Sequence, residues 1–201
     1  GISYTRTERF RLPARTEGVY QLVVLTNSSR QVYEYGGAAA NNSAADDQVL
    51  QVALLPRSDL QVANVVAPAR ASAGATVSLR FSIINQGTVP TTTPRWQDRV
   101  YLSLDNKLSG DDLLIGSYDN GAALNPGEQY ATDSGSLQIP IRFRGDVFLI
   151  VQADGSGSVD EYPNDANNIA AVPLFVEPYP LADLVAGSVV APAQAVEGAS
   201  I

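Results

Sequence analysis

The sequence contains no histidine and no cysteine, and it has one lysine and one tryptophan among 201 residues. These absences exclude the Ser-His-Asp and Cys-His nucleophile systems, thiol catalysis and disulfide bonds. They also remove the usual ligands of zinc, copper, haem and iron–sulfur sites. The groups that remain for chemistry are carboxylates, amides, hydroxyls and arginine, so most soluble-enzyme mechanisms are excluded.

Positive charge is scarce as well, because 21 Asp and Glu outnumber 13 Lys and Arg and leave a formal net charge of −8. A chain of this sign repels nucleic-acid backbones and anionic membrane surfaces, so we predict no nucleic-acid partner. No apolar run approaches the roughly 20 residues of a membrane span, so we predict no direct membrane insertion. The surplus carboxylates suit a solvated exterior or a hard cation such as calcium.

The composition favours strands and turns. Hydrophobic residues make up 45% of the chain and charged residues 17%, and 16 glycines and 12 prolines supply turn formers. Val77, Leu79, Phe81 and Ile83 alternate with other residues, which is the two-residue period of a half-buried strand. No segment has the 3.6-residue period of a helix. The pattern predicts strands over 59–66, 75–85, 95–104, 113–118, 128–140, 146–153 and 169–178.

The chain also repeats itself at a long interval. Residues 59–77 align without gaps with residues 183–201, and 10 of the 19 positions are identical at an offset of 124. A second match pairs residues 12–27 with 139–154, and residues 31–42 with 158–168 after one residue of slippage. A period of this length is that of one immunoglobulin-sized domain, not of a short solenoid unit.

Together the strands and the repeat predict the fold class and the domain organisation. The fold class is all-β, built from tandem immunoglobulin-like antiparallel β-sandwich repeats, with a barrel as the alternative. The predicted domains are the C-terminal part of a first repeat at 1–56, a complete repeat at 57–181 and the N-terminal start of a third repeat at 182–201. We therefore expect a slice of a longer array.

Two loops of the complete repeat are rich in the carboxylates that calcium prefers. Their spacing is not that of an EF-hand, and Asp, Asn and Gly are also the common turn formers, so ordinary solvated turns are the alternative interpretation. The candidate calcium ligands are Asp105, Asp111 and Asp112 in the first loop and Asp154, Asp160 and Glu161 in the second.

Three residues of the second loop recur in the first repeat. Glu161, Asn167 and Asn168 correspond to Glu34, Asn41 and Asn42. Asn side chains bond loop backbone and tolerate left-handed geometry, so we predict a structural role for this set in each repeat. A catalytic carboxylate pair is disfavoured, because Asn27 and Tyr33 replace Asp154 and Asp160 in the first repeat.

Trp96 is the one aromatic residue that suggests a ligand site. An exposed aromatic ring can stack on a sugar, so Trp96 is a candidate ligand-binding residue. The alternative is that a single tryptophan at the start of a strand fills the core. An exposed ring would favour the first interpretation and a buried ring the second.

The motifs of the complete repeat resemble those of CARDB, the cell-adhesion-related domain found in bacteria. They include DL-V--VV-P in the first strand, W-D-VYLS-D before the acidic loop, D--LIGS after it, and L-PG--Y, G-V---V--D and VDE-----NN beyond. The resemblance implies an immunoglobulin-like sandwich used in tandem within large secreted or surface-anchored proteins. Extracellular or cell-surface localisation is therefore expected.

These observations favour a non-enzymatic structural or adhesive module in a stalk, adhesin or filament. Its expected partners are neighbouring repeats of the same chain and, in a filament or surface layer, other copies. An alternative is an accessory carbohydrate- or peptide-binding module attached to a secreted enzyme. An enzyme that uses Asp and Glu alone is the weakest of the hypotheses.

Calcium is the one cofactor that the sequence predicts. If an ion neutralises the two acidic loops, binding to the folded state alone adds about 2.7 kcal/mol at a free concentration 100-fold above the dissociation constant. We therefore expect a higher melting temperature in millimolar calcium than in EDTA. Superimposable melting curves would identify the loops as ordinary solvated turns.

Overall fold

The computed structural model describes residues 3–198 and 200; residues 1, 2, 199 and 201, at the ends of the predicted first and third segments, lie outside the described part. The first segment contains β1 (Gly18–Leu25), a 3₁₀ helix (Gly36–Asn41) and β2 (Ser43–Val52). The ten strands that follow are β3 (Leu60–Val66), β4 (Arg70–Ser72), β5 (Thr76–Val77), β6 (Arg80–Asn85), β7 (Trp96–Ser103), β8 (Leu113–Asn120), β9 (Gln129–Asp133), β10 (Leu137–Gln138), β11 (Gly145–Gln152) and β12 (Ile169–Glu177).

Strands β3 to β12 form a sandwich of two layers. One sheet has five strands in the order β4-β12-β11-β7-β8, and the other has three in the order β3-β6-β9. A two-stranded ladder of β5 and β10 lies beside them. All pairings are antiparallel except the one between β12 and β4, which is parallel. This confirms the predicted all-β, immunoglobulin-like sandwich.

The core lies between the two sheets and follows from the two-residue period of the strands. The predicted inward face of residues 75–85 is confirmed, because Val77, Leu79, Phe81 and Ile83 are all buried. Burial of apolar side chains such as these contributes about 25 cal/mol per Å² of apolar surface. The facing sheet supplies Val100, Leu102, Val147, Leu149, Val151, Leu174 and Val176.

Strand β11 is central, as its apolar residues on both parities predict. It is hydrogen-bonded to β12 on one side and to β7 on the other. Val147, Leu149 and Val151 face the core, and Ile150, on the opposite parity, is also fully buried.

Two predicted strands are divided. The segment 75–85 forms β5 and β6, and the segment 128–140 forms β9 and β10, since β5 pairs with β10 while β6 pairs with β9. Strand β4 and the 3₁₀ helix are additions to the prediction. Both are too short for a periodic pattern to reveal.

The first segment forms a two-stranded antiparallel sheet of β1 and β2, with a bulge between Gln21 and Val23. Its strands expose apolar side chains, Val19, Val23 and Val24 among them. The predicted first strand of the third repeat is not seen, because residues 178–198 contain no strand in the described part of the chain. In the aligned segment 59–77, strand β3 pairs with β6, whereas no described residue pairs with residues 183–190 in a sheet. None of the helices in the described residues is long and apolar enough to cross a membrane.

Candidate functional site: a polar network at one end of the sandwich

The loop between β11 and β12 begins with a turn that Asp154 organises. Asp154 has a φ of 43°, in the left-handed region that Asp and Asn tolerate. Its carboxylate accepts hydrogen bonds from the backbone N–H of Ser158 at 3.0 Å and of Val159 at 2.7 Å. The hydroxyl of Ser156 donates a third bond at 2.8 Å. The buried Asp154 side chain therefore holds its own loop.

Glu161 connects the first strand of the module to its last loop. Its fully buried carboxylate accepts hydrogen bonds from the backbone N–H of Leu60, at the start of β3, and from the Asn168 side-chain amide. Burial raises the pKa of Glu161 to about 7, against the hydrogen bonds from Leu60 and Asn168, which lower it. We call Glu161, Leu60 and Asn168 the clasp, because they tie the first strand to the last loop.

A second set of bonds reinforces the clasp on the same side. The Asn167 amide donates to the Asp59 carboxylate at 2.9 Å, and the backbone N–H of Asp59 donates to Oδ1 of Asn85 at 3.0 Å. Two buried side-chain oxygens in the described residues, Ser58 Oγ and Asn168 Oδ1, have no hydrogen-bond partner. The predicted structural role of Asn167 and Asn168 is consistent with these contacts.

Trp96 belongs to a chain of hydrogen bonds that ends at Asp154. Its indole N–H donates to the Tyr130 hydroxyl at 3.0 Å, and that hydroxyl donates to the fully buried Asp98. Asp98 also accepts the backbone N–H of Asp154 at 3.1 Å. Burial raises the pKa of Asp98 to about 6, and burial together with the Asp98 charge raises the pKa of Tyr130.

This placement bears on the sugar-binding interpretation of Trp96. Only 3% of the residue is exposed, and the ring packs in the core against Tyr130, with the ring centroids 6.2 Å apart. A sugar stacks on an exposed ring face, which this tryptophan does not offer. The structure therefore supports the alternative, in which Trp96 fills the core.

Asp160 is paired with arginines from distant parts of the sequence. Its carboxylate lies 3.0 Å from Nη2 of Arg15 and 3.1 Å from Nε of Arg57. Desolvation raises the pKa of Asp160, but the bonds from Arg57 and Arg15 outweigh it and the pKa is lowered overall. The second acidic loop thus has positive counter-charges that its local sequence lacks.

The first acidic loop is exposed and locally bonded. Asp105 accepts the backbone N–H of Lys107 at 2.8 Å. Asp111 accepts the Ser109 hydroxyl, which lowers the pKa of Asp111, and Asp112 accepts the Ser109 backbone N–H at 2.7 Å. No three acidic side chains in the described residues form a group that could hold a metal ion. Calcium binding by the six candidate residues stays a prediction.

The same hydrogen bonds recur in the first segment. The Asn42 amide donates to Glu34, as Asn168 does to Glu161. Asn27, with a φ of 50°, accepts the Val32 backbone N–H at 3.0 Å, as Asp154 accepts that of Val159. The backbone N–H of Thr26 donates to the Asn42 carbonyl at 2.8 Å, as that of Ala153 does to Asn168. Asn41 is exposed at the end of the 3₁₀ helix.

The network as a whole serves to hold loops in place. Each buried carboxylate described above accepts at least two hydrogen bonds from protein donors, which are backbone amides and polar side chains. Together with the two-layer topology, this defines the protein as an immunoglobulin-like β-sandwich module. The CARDB family model matches residues 57–172, which is more than half of the sequence. The chain belongs to the CARDB family, whose domain is a non-enzymatic module.

Comparison with solved structures gives distant similarities. A crystal structure of a CARDB domain from Pyrococcus furiosus, in complex with di-metal ions, is 20% identical, covers 60% of this chain and 89% of that chain, and has a TM-score of 0.45. The solution structure of the same domain covers 61% and 98% at the same identity, with a TM-score of 0.46. A β-glucosidase from Listeria innocua is 15% identical, with a TM-score of 0.39, and this chain covers 17% of that enzyme. Among curated proteins, none matches the sequence.

Proposed function

We propose that the chain is part of a tandem array of CARDB modules in an extracellular or cell-surface protein, where it acts as a non-enzymatic structural or adhesive unit. The proposal includes its partners, which are neighbouring modules of the same chain and, in a filament or surface layer, other copies. The observation that carries it is the recurrence of the clasp bond. Glu34 and Asn42 repeat the contact of Glu161 and Asn168 in the segment that aligns with the complete module.

The strand registers support the same repeat. Gly18 pairs with Val52 in β1 and β2, and Gly145 pairs with Val176 in β11 and β12. The two strand pairs therefore correspond, although the separation is 34 residues in the first and 31 in the second. One extra residue lies in the loop, and the bulge accommodates two more in β2.

The prolines after each strand pair also correspond. Pro56 and Pro180 both lie four residues beyond the paired valine, and the offset between them is 124, the same as that of the aligned segments 59–77 and 183–201. Short, proline-containing joints limit the motion of consecutive modules, which suits a stalk more than a flexible tether.

The mechanical unfolding of the full-length protein tests the array. Each module that unfolds under force should release about 40 nm of chain, because roughly 124 residues extend by about 3.3–3.6 Å each. We expect a series of unfolding events with equal length increments of that size. Unequal increments, or one isolated event, would contradict the tandem array.

Localisation needs a separate measurement. Protease treatment of intact producing cells should release peptides of this module if it lies on the cell surface or in a surface layer. Complete protection on intact cells, with cleavage after lysis, would contradict that part of the proposal. For the alternative of an accessory carbohydrate- or peptide-binding module, the buried ring of Trp96 gives no support to sugar stacking by that residue.

A further inference from the structure

The contact between the first segment and the complete module is built from four side chains on three different loops. Arg15, in the turn before β1, and Arg57, in the joint, both bind Asp160 of the β11–β12 loop. The guanidinium of Arg15 also lies 4.8 Å from the centre of the Tyr162 ring, a cation–π distance. Arg15 thus has a carboxylate and an aromatic ring as partners on the other module.

The joint itself is attached to the complete module. The backbone N–H of Gln86 donates to the Asp59 carbonyl at 2.7 Å, and that of Thr88 donates to the Arg57 carbonyl at 3.3 Å. The side chain of Arg57 is 16% exposed and reaches the Tyr162 carbonyl at 3.4 Å. Arg57 therefore holds the Asp160 side chain in position on the complete module. Arg15, which belongs to the first segment, forms the second ion pair with Asp160.

The residues of these contacts differ between the corresponding positions of the repeats. Arg15 corresponds to Arg142, so the arginine occurs in both segments. Asp160 corresponds to Tyr33, and Arg57 corresponds to Leu181. The supporting arginine is therefore replaced by leucine at the next joint, and the acid is replaced by tyrosine in the first segment.

We propose that Arg15, Arg57, Asp160 and Tyr162 form a lock that fixes the angle between two consecutive modules. The occupant of the Asp160–Tyr162 surface is the β1-side turn of the preceding module of the same chain, recognised by its arginine. This inference rests on the proposed array, and it adds that the joint is selective for its neighbour. Because the Asp160 and Arg15 side chains are about half exposed, salt should weaken the lock.

Distance measurements between spin labels test the lock in the full chain. The sequence has no cysteine, so cysteines introduced at Asp47 on β2 and Ala131 on β9, both exposed, are the sole labelling sites. We expect one narrow distance distribution in the parent protein. Arg15→Gln and Asp160→Asn should each broaden it at least twofold. The double variant should be no broader than Arg15→Gln, because loss of Arg15 already removes its contacts with both Asp160 and Tyr162.

The control is Glu177→Gln, which breaks the exposed pair with Arg70, 2.9 Å apart and within the complete module. This variant should keep the narrow distribution, and thermal melting of each variant checks that it is folded. Sodium chloride at 1 M should broaden the parent distribution but not that of Asp160→Asn. A broad distribution in the parent, or no effect of either joint variant, would overturn the lock while leaving the array intact. Unequal unfolding increments would overturn the array and not this contact.

Discussion

Replacing Gly87 with alanine is expected to lower the free energy of unfolding of the complete module by about 3 kcal/mol. Overpacking costs about 1–3 kcal/mol, and the upper end applies here because each of the three nearest atoms to the added methyl group belongs to the backbone. A Cβ at this position would lie 2.4 Å from the Arg57 carbonyl oxygen, 2.6 Å from Cα of Ser58 and 2.7 Å from the backbone nitrogen of Asp59. No side-chain rotation relieves these contacts. The joint would have to move away from the loop after β6.

The displacement would also break hydrogen bonds. Asn85 Oδ1 accepts the backbone N–H groups of both Asp59 and Gly87 at 3.0 Å, so the loop and the joint share one acceptor. We expect the melting temperature to fall by about 12 °C, given about 4 °C per kcal/mol for a module of this size. Calorimetry or circular dichroism measures the shift.

Gly110→Ala is the matched control. A Cβ on Gly110 meets no atom within 4 Å, and its φ lies outside the left-handed region that favours glycine. Its melting temperature should be unchanged or slightly raised, because alanine reduces the entropy of the unfolded chain. A Gly87→Ala protein that melts within about 1 °C of the parent would contradict the close approach at the joint.

The sequence predicts the sandwich well because burial imposes a two-residue period wherever a strand has one face on the core. The alternation of Val77, Leu79, Phe81 and Ile83 gives a face that the structure confirms, and so does the two-sided apolar character of β11. The division into β5 and β6 escapes this reasoning, since both strands keep the same period and differ only in which strand they pair with. Pairing is a long-range property.

For the candidate site, prediction from the sequence is limited in the same way. Glu161 and Asn168 are identifiable as a structural pair because they recur within the chain. Asp98 is not, although its carboxylate is fully buried, since nothing near it in the sequence indicates that Tyr130 will donate to it. The counter-charges of Asp160 lie 145 and 103 residues away, at Arg15 and Arg57. The local excess of acid in this loop, which suggests a cation, is thus compensated from elsewhere.

The second large effect that we expect is a loss of stability as the pH rises from about 5 to 7. Burial raises the pKa of Glu161 from 4.5 to about 7 and that of Asp98 from 3.8 to about 6. At pH values between the pKa of the unfolded chain and that of the folded protein, the folded protein binds more protons than the unfolded chain. The free energy of unfolding is therefore greatest below the unfolded pKa and falls as the pH rises through this range. Glu161 alone should contribute about 2 to 3 kcal/mol over this range, at about 1.4 kcal/mol per pKa unit.

A protonated Glu161 could donate a hydrogen bond to the side chain of Asn168. Asn168 Oδ1 is buried without a partner next to the carboxylate that the Asn168 amide group contacts. A half-turn of that amide would present Oδ1 to a protonated Glu161, which would then donate to it while its other oxygen still accepts from Leu60. In this neutral form the Glu161 carboxyl group would donate one hydrogen bond and accept another.

Glu161→Gln should flatten the pH dependence, because glutamine has no group to titrate. Its side-chain oxygen can accept from Leu60, and its amide can donate to Asn168 Oδ1 once the Asn168 amide has turned, which reverses the direction of that bond in the parent. Between pH 6 and 7, Glu161 should account for a loss of about 1 kcal/mol, or about 4 °C in melting temperature, in the parent. The variant should keep only the smaller contribution of Asp98, which is already half ionised at pH 6. Glu177→Gln removes an exposed carboxylate and should keep the parent slope. Stability that is constant or rises from pH 5 to 7 in the parent would contradict a proton held by the clasp, since an ionised Glu161 would give no such slope.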